Sequence, residues 1–147
     1  MYLLIISCSN RKDRSYGHIP AIERYDGISY RVIKKLKREV KFPNDLDILI
    51  ISAKYGFLKP EDLIEYYDWR MNKKRALELR EDVLKKFKIF VKDKHYDEIF
   101  VNLGKDYMLA IEGFEKLFDK DTKIIYAKGG IGQKTSEMRN WILSRSE

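Results

Sequence analysis

Acidic and aromatic residues are mixed in one stretch of the chain in a way that suits chemistry on a nucleoside. This stretch contains Asp62, Glu65 and Asp68 together with Tyr55, Tyr66, Tyr67 and Trp69. Aromatic rings stack on bases, and a carboxylate activates water or stabilises the cationic sugar of a glycosidic-bond reaction. Asp68 is therefore the predicted catalytic carboxylate. The structural alternatives are that the rings fix the loop to the core and that Arg70 is only the ion-pair partner of Asp68.

A second reactive group follows the first apolar run of the chain, residues 2–6. It comprises hydroxyl, thiol, amide and cationic side chains, namely Ser7, Cys8, Ser9, Asn10, Arg11 and Lys12. Neighbouring cations favour a thiolate, so Cys8 is a candidate nucleophile or redox sensor, and Lys12 is a candidate catalytic residue beside it. The alternative is a small buried thiol at the end of a strand.

Metal-binding side chains are too few for a zinc centre of cysteine and histidine. The sequence has one cysteine and two histidines, His18 and His95. A structural Cys/His cluster of this kind needs four ligands, and the sequence offers three. We therefore predict no metal and no cofactor.

Three closely spaced glycines, Gly129, Gly130 and Gly132, come directly before the last predicted helix. Glycine lets a backbone approach an anion closely, and the N–H groups at the start of a helix can bind a phosphate. The segment matches neither a Walker A loop nor the dinucleotide fingerprint. A plain tight turn into the helix is the alternative interpretation.

The periodicity of apolar residues predicts the elements that carry these side chains. Four strands are predicted at 2–7, 46–52, 96–102 and 123–127, and helices at 28–40, 72–92, 105–118 and after Gly132. Residues 53–70 form a long connection without predicted structure. Strands that alternate with helices predict a single α/β domain over 1–147, a three-layer Rossmann-like fold with a mostly parallel four-stranded sheet and helices on both faces.

Polar and glycine residues follow each predicted strand and should therefore meet at one edge of the sheet. In an open parallel sheet, ligands bind outside the carboxyl ends of the strands. The second strand contributes Ser52, Lys54, Tyr55 and Gly56, and the third contributes Asn102, Gly104 and Tyr107. Together with residues 7–12, Tyr67, Arg70 and the three glycines, these form the predicted ligand-binding set. Polar loop ends also occur in this fold when nothing binds there.

Composition indicates an anionic partner. Lysine and arginine number 30 against 23 aspartate and glutamate residues, which gives a net charge of +7. This excess favours a nucleotide or a nucleic acid as partner, although a basic surface also serves solubility. One cysteine and the lack of a membrane-spanning or signal segment predict a cytoplasmic protein without membrane contact. Abundant lysine and glutamate fit a thermophilic source. The sequence predicts no particular oligomeric state.

Several segments together resemble an uncharacterised family of small α/β proteins that begins S-C-S-x-R-K and is often loosely labelled YaaA-like peroxide stress protein. The shared segments are residues 6–12, 20–27, 30–32, 52–56, 67–71, 75–76, 103–107 and 130–132, with Trp141 downstream. Cys8 and Lys12 also have the Cys-x-x-x-Lys spacing of archaeosine synthase-type domains, which act in tRNA base modification. The rest of that motif is absent, which argues against lysine-adding chemistry. The resemblance implies a role in nucleobase or nucleoside handling.

These observations favour an enzyme of nucleobase, nucleoside or nucleic-acid chemistry, with a glycosidic-bond reaction as the leading hypothesis. In this hypothesis Asp68 acts on water or the sugar, Tyr55 or Tyr67 stacks on the base, and Asn10 or Asn102 contacts its polar edge. Lys12, Lys54 and the glycine segment hold phosphate. The alternatives are a non-catalytic nucleic-acid-binding module in a stress response and a redox sensor at Cys8.

Overall fold

The computed structural model describes residues 1–146. Its strands are β1 (Tyr2–Ser7), β2 (Ile19–Pro20), β3 (Leu46–Ser52), β4 (Gly56–Leu58), β5 (Leu63–Ile64), β6 (Glu98–Asn102) and β7 (Lys123–Tyr126). Its α-helices are α1 (Ala21–Arg24), α2 (Ile28–Arg38), α3 (Lys73–Val91), α4 (Lys105–Ala110) and α5 (Ile131–Arg145). Within residues 1–146, no helix is long and apolar enough to cross a membrane.

The main sheet is mixed and has five strands, in the order β4-β3-β1-β6-β7. The pairs β1–β3, β1–β6 and β6–β7 are parallel, whereas β4 is antiparallel to β3. The α/β class is confirmed, but the prediction of a four-stranded sheet is wrong. The chain turns back at residues 53–55, where the Ser52 hydroxyl accepts the N–H groups of Lys54 and Tyr55 at 3.2 and 3.1 Å, and this turn adds β4 as an edge strand.

Helices cover both faces of this sheet because alternate residues of each buried strand point to opposite sides. From β1, Leu4 and Ile6 pack in one core cluster with residues of α2 and α5. Leu3 and Ile5 pack in the other cluster, with residues of α3. The near-continuous apolar sequence of β1 follows from this burial on both faces.

The order of the parallel strands creates a crevice at one edge of the sheet. From β1 the chain first crosses to β3 on one side, and it later returns to β6 on the other side of β1. The direction of winding therefore reverses between β1 and β6. In open α/β sheets, the carboxyl ends of the two strands at such a reversal flank the ligand crevice.

Three segments differ from the predicted elements. The helix predicted at 105–118 ends as α4 at Ala110, and a separate 3₁₀ turn spans Phe114–Leu117. Gly113 lies between them with a φ of 94°, a left-handed conformation that favours glycine and interrupts the helix. The connection predicted to be irregular contains β4 and β5, and β5 pairs with β2 in a separate two-stranded sheet. The predicted helix 28–40 ends at Arg38.

A fully buried arginine, Arg24, joins the loop of residues 13–17 to strand β5. Its guanidinium donates hydrogen bonds to the carbonyl oxygens of Asp13 and Ser15, both at 2.8 Å, and of Gly17 at 2.6 Å. A fourth bond reaches the carbonyl oxygen of Ile64 in β5 at 3.1 Å. The loop of residues 13–17 is thereby fixed to the second sheet.

We predict that Arg24→Ala destabilises the protein strongly. The substitution leaves buried carbonyl groups without donors and opens a cavity, which together should cost on the order of 3–5 kcal/mol. The melting temperature should fall by about 6–20 °C for a chain of this size. Arg38→Ala, at the exposed end of α2, is the control and should change it by less than about 2 °C. Equal decreases in the melting temperature of the two variants would contradict this role of Arg24.

Candidate functional site

A cavity of about 410 Å³ lies at the carboxyl ends of β1 and β6, where the winding of the sheet reverses. We call it the switch-point cavity. Its lining residues come from the segment after β1, the starts of α2, α4 and α5, and the end of β6. They are Ile6, Ser7, Cys8, Ser9, Asn10, Arg11, Gly27, Ile28, Ser29, Tyr30, Asn102, Gly104, Tyr107, Ile131, Lys134 and Thr135.

The cavity brings together many of the predicted site residues. The predicted residues that line it are Ser7, Cys8, Ser9, Asn10, Arg11, Asn102, Gly104 and Tyr107. They converge because parallel strands end at the same edge of the sheet and the order reversal separates the helices that follow them. The sequence signal at the ends of β1 and β6 was therefore sufficient to locate this side of the cavity.

Two long helices start at the cavity wall with uncapped first turns. Gly27 precedes α2 and Gly130 precedes α5, and neither provides a side-chain cap to its helix among the described residues. The first N–H groups of a helix have no intrahelical acceptor, and the helix dipole places partial positive charge there. Both features favour an anion in the cavity.

The charged residues of the lining are both cationic, Arg11 and Lys134, and within residues 1–146 no carboxylate lines the cavity. The Lys134 ammonium donates to the carbonyl oxygen of Leu103 at 3.0 Å, which holds its side chain across the start of α4. Arg11 is more exposed and donates to Asp26 at 3.2 Å. The cavity therefore has the charge expected of an anion site.

Sequence reasoning named the start of α5 as an anion site but missed the α2 side of the cavity and the side chains that α5 contributes. Ser29 is linked to Thr135 at 3.2 Å and accepts from the Asn102 amide at 3.1 Å, so one hydrogen-bonded chain connects α2, α5 and β6. The available signal was Gly27 directly before the apolar period of α2, a residue type found at helix starts. Lys134 and Thr135 carried no comparable signal, since both read as ordinary residues of a helix.

Cys8 lies between the cavity and a cluster of tyrosines. Its thiol is buried, and its Sγ lies 3.0 Å from the Tyr107 hydroxyl. Burial, followed by the nearby thiol, raises the pKa of Tyr107 well above its usual range, so its hydroxyl stays protonated at neutral pH. Tyr30 donates to the carbonyl oxygen of Ser7 at 2.7 Å and fixes the end of β1 from the α2 side.

On the other side of Cys8, three hydroxyl groups form a buried network. The Tyr25 hydroxyl lies 2.6 Å from that of Tyr67 and donates to Ser52 at 3.2 Å, and Ser52 and Tyr67 are 2.9 Å apart. Burial raises the pKa of both tyrosines far above the neutral range. Tyr67 is only 6% exposed, so in this conformation the faces of its ring are not open to a base, in contrast to the stacking role predicted for it.

Lys12 and Lys54 cover the ring of Tyr67. The Lys12 ammonium lies 4.6 Å and the Lys54 ammonium 5.9 Å from the ring centroid, and Lys54 also lies 5.1 Å from that of Tyr55. Burial lowers the pKa of Lys12, while the nearby Cys8 and Asp68 raise it in part. Asp68 is exposed and belongs to this region beside Lys12, outside the cavity lining.

The remaining predicted residues lie outside the cavity lining. Gly56 packs under α3, where an added Cβ would meet Val83 at 3.1 Å. Gly129 and Gly130 form the turn into α5 and Gly132 is its second residue, and none of them is among the lining residues. Arg70 is exposed, and among the described residues no ion pair joins it to Asp68.

A cluster of three side chains of the metal-binding type lies apart from this cavity. In the part of the chain that the structure describes, His95, Asp119 and Asp121 place their ligand atoms within 4.8 Å of one another. All of these residues are exposed, and exposed carboxylates commonly gather without binding an ion. Lysines also surround this region, at Lys92 and Lys116, and their charge disfavours a cation.

Fold and site together define an α/β protein with a mixed five-stranded sheet and a cationic cavity at its switch point. Residues 3–140 match DUF6884, a family of unknown function, and the chain belongs to that family. No curated protein matches it.

A solved structure supports the fold. The chain is similar to the crystal structure of AF0587, a protein of unknown function, with a TM-score of 0.55 and 14% identity over 96% of this chain. The match covers 44% of that protein, so the chain spans less than half of its length. The expectation of an uncharacterised small α/β domain is confirmed. The YaaA-like label stays a prediction.

We predict that Gly27→Ala disturbs the cavity whereas Gly104→Ala does not. A Cβ at Gly27 would lie 2.7 Å from the Cβ of Ser9, so one wall of the cavity must move. Gly104 also precedes a helix, but its added Cβ would meet nothing within 4 Å. In urea unfolding, the free energy of unfolding should fall by about 1–3 kcal/mol for Gly27→Ala and by less than about 1 kcal/mol for the control, Gly104→Ala. Similar losses would contradict the tight approach of Ser9 to α2.

We predict that Lys12 loses its proton at a lower pH in the folded protein than in the unfolded chain. Burial holds its pKa below the ordinary 10.5. Its contribution to stability should therefore grow as the pH rises from the folded-state pKa to 10.5. Pulsed acetylation read by peptide mass spectrometry should reach half its maximal rate at a lower pH in buffer than in urea. Asp68→Asn should lower this midpoint further. Identical profiles in buffer and urea would rule out the shift.

Proposed function

We propose that the protein binds a nucleotide in the switch-point cavity and acts on its glycosidic bond. The observation that carries the proposal is the convergence of Arg11, Lys134 and the first turns of α2 and α5 on a cavity that no carboxylate of residues 1–146 lines. A phosphate is the common ligand group that matches cationic side chains and free N–H groups together. Its position follows the rule for three-layer Rossmann-like sheets.

The size and remaining lining of the cavity fit a nucleotide. A volume of about 410 Å³ falls in the range of small-molecule sites, roughly 300–1,000 Å³. Asn10 offers an exposed amide for the polar edge of a base or a sugar hydroxyl. The amide of Asn102 is already engaged with Ser29 at 3.1 Å, which suits a positioning role for this residue.

In the proposed reaction, the ligand extends from the cavity past Cys8 towards Lys12 and Asp68. Asp68 accepts a proton from water, the water oxygen bonds to the sugar carbon C1′, and the bond from C1′ to the base breaks. The departing base takes up a proton from solvent, and Asp68 gives the proton it accepted back to solvent, which regenerates the carboxylate. Lys12 holds the carboxylate by charge, and the exposed part of Tyr55 offers a ring for stacking.

The binding step can be tested with the four ribonucleoside 5′-monophosphates in isothermal titration calorimetry. The phosphate contacts predict that each nucleotide binds more tightly than its nucleoside. Arg11→Ala and Lys134→Ala should each weaken binding about tenfold or more, because each removes a charge-assisted hydrogen bond. Lys86→Ala, which changes the charge equally on the distant helix α3, is the control. Equal affinities for nucleosides and nucleotides, or indifference to both cavity variants, would refute phosphate binding there.

The chemical step is tested by the release of free base from the same nucleotides, followed by liquid chromatography. We expect Asp68→Asn to lower the rate by about 10²–10⁴-fold, because the amide cannot accept the proton from water. Glu65→Gln is the matched control, an exposed carboxylate of the same loop that pairs with His18 at 3.2 Å. If a nucleotide is hydrolysed and Asp68→Asn retains full turnover, the assigned role of Asp68 is wrong.

A further inference from the structure

Next to the catalytic region proposed above, a group of aromatic side chains is exposed to water. Tyr16 is fully exposed, Trp69 is 47% exposed and Tyr66 is 40% exposed. We call these residues the aromatic strip. They come from two segments, residues 13–18 and 65–70, which are brought together by the contacts of Arg14 with Tyr66 and of His18 with Glu65. Exposed large rings gathered in one place commonly mark a binding surface.

Two of these exposed rings have an arginine side chain beside them. The Arg14 guanidinium lies 5.3 Å from the ring centroid of Tyr66, and that of Arg75 lies 4.1 Å from the ring of Trp69. Surfaces that bind single-stranded nucleic acid combine rings that stack on bases with cations that contact the phosphates between them. An apolar protein partner would not require this regular placement of cations, and the chain's net charge of +7 favours a polyanion.

The strip is held in place before any partner binds. The loop that carries Tyr16 is fastened by Arg24, and the His18 imidazole lies 3.2 Å from the Glu65 carboxylate of the opposite loop. Arg75 donates to the carbonyl oxygens of Ala53 and Lys54, both at 2.8 Å, so its guanidinium supports Trp69 from below. Such preorganisation reduces the entropy lost on binding.

The strip continues into the site already described. Tyr66 and Trp69 flank Tyr67 and Asp68 in the chain, and Lys12 lies 4.6 Å from the ring of Tyr67. Bases stacked on the strip would therefore place a neighbouring nucleotide at Lys12 and Asp68. A free nucleotide would occupy the switch-point cavity and need none of the exposed rings.

We infer that the aromatic strip binds single-stranded nucleic acid, so that the nucleotide acted on is one unit of a polynucleotide. The inference rests on the proposed function for the position of the reacting unit, whereas the strip can be tested separately. It predicts that flanking nucleotides bind on the strip, that single strands are preferred over duplexes, and that binding weakens with salt.

The test is fluorescence anisotropy with fluorescein-labelled 15-mers of thymidylate and uridylate, single-stranded and as duplexes with their complements. We expect Trp69→Ala, Tyr66→Ala and Tyr16→Ala each to weaken single-strand binding at least about fivefold, the loss of one stacked base. Arg14→Ala should weaken binding and reduce its salt dependence. Leu77→Ala, an exposed apolar residue of α3, and Lys86→Ala are the matched controls.

Tryptophan fluorescence provides a second readout that does not depend on a label. Trp141 is buried whereas Trp69 is 47% exposed, so an unlabelled 15-mer should quench the emission of Trp69. Trp69→Phe should abolish this quenching while it retains most of the affinity, because phenylalanine still stacks. Circular dichroism of each variant verifies that the fold is intact.

The outcomes separate this inference from the proposed function. A 15-mer that binds no more tightly than uridine monophosphate, a duplex that binds as well as the single strand, or strip variants without effect would each overturn the inference. None of these results would bear on the binding of a mononucleotide in the switch-point cavity, which is measured separately. Conversely, single-strand binding that depends on the strip would support the inference even if no mononucleotide bound the cavity and no base were released.

Discussion

The buried guanidinium of Arg24 is the interaction on which the outer part of this structure depends. A buried charge without a carboxylate partner is costly, and here the compensation comes from backbone carbonyls of the loop 13–17 and of strand β5. Its Nε has no hydrogen-bond partner among the described residues, so the terminal nitrogens supply the whole compensation. The loop of residues 13–17 is therefore fixed to β5, whereas exposed loops are commonly mobile.

The strand order of the main sheet determines where the cavity lies. The reversal of strand order between β1 and β6 leaves a crevice, and α2 and α5 both begin at its wall. The glycines before these helices provide no side-chain caps, so much of the affinity for an anion resides in backbone groups. A site of this kind needs no phosphate-loop motif, which explains why its sequence matches none. Arg11 and Lys134 add to the positive electrostatic potential of the two helix starts.

The sequence predicted the features of the fold and of the cavity that depend on local patterns of residues. The apolar runs predicted β1 and β3 with their observed bounds, and the polar residues after β1 and β6 predicted one side of the cavity. It was uninformative where long-range contacts decide the structure. The strands β4 and β5 are too short for a periodic signal, and the burial of Arg24 depends on carbonyls as distant in sequence as Ile64. The break at Gly113 was readable from the residue type, but the apolar period of residues 105–118 outweighed it.

The central claim is that the switch-point cavity binds the phosphate of a nucleotide. A crystal structure of the protein with uridine 5′-monophosphate tests it most directly. The claim predicts phosphate density between the first turns of α2 and α5, within hydrogen-bond distance of Lys134 and of backbone N–H groups in at least one of these turns. An empty cavity at saturating nucleotide, or a nucleotide whose phosphate lies elsewhere on the protein, would contradict it.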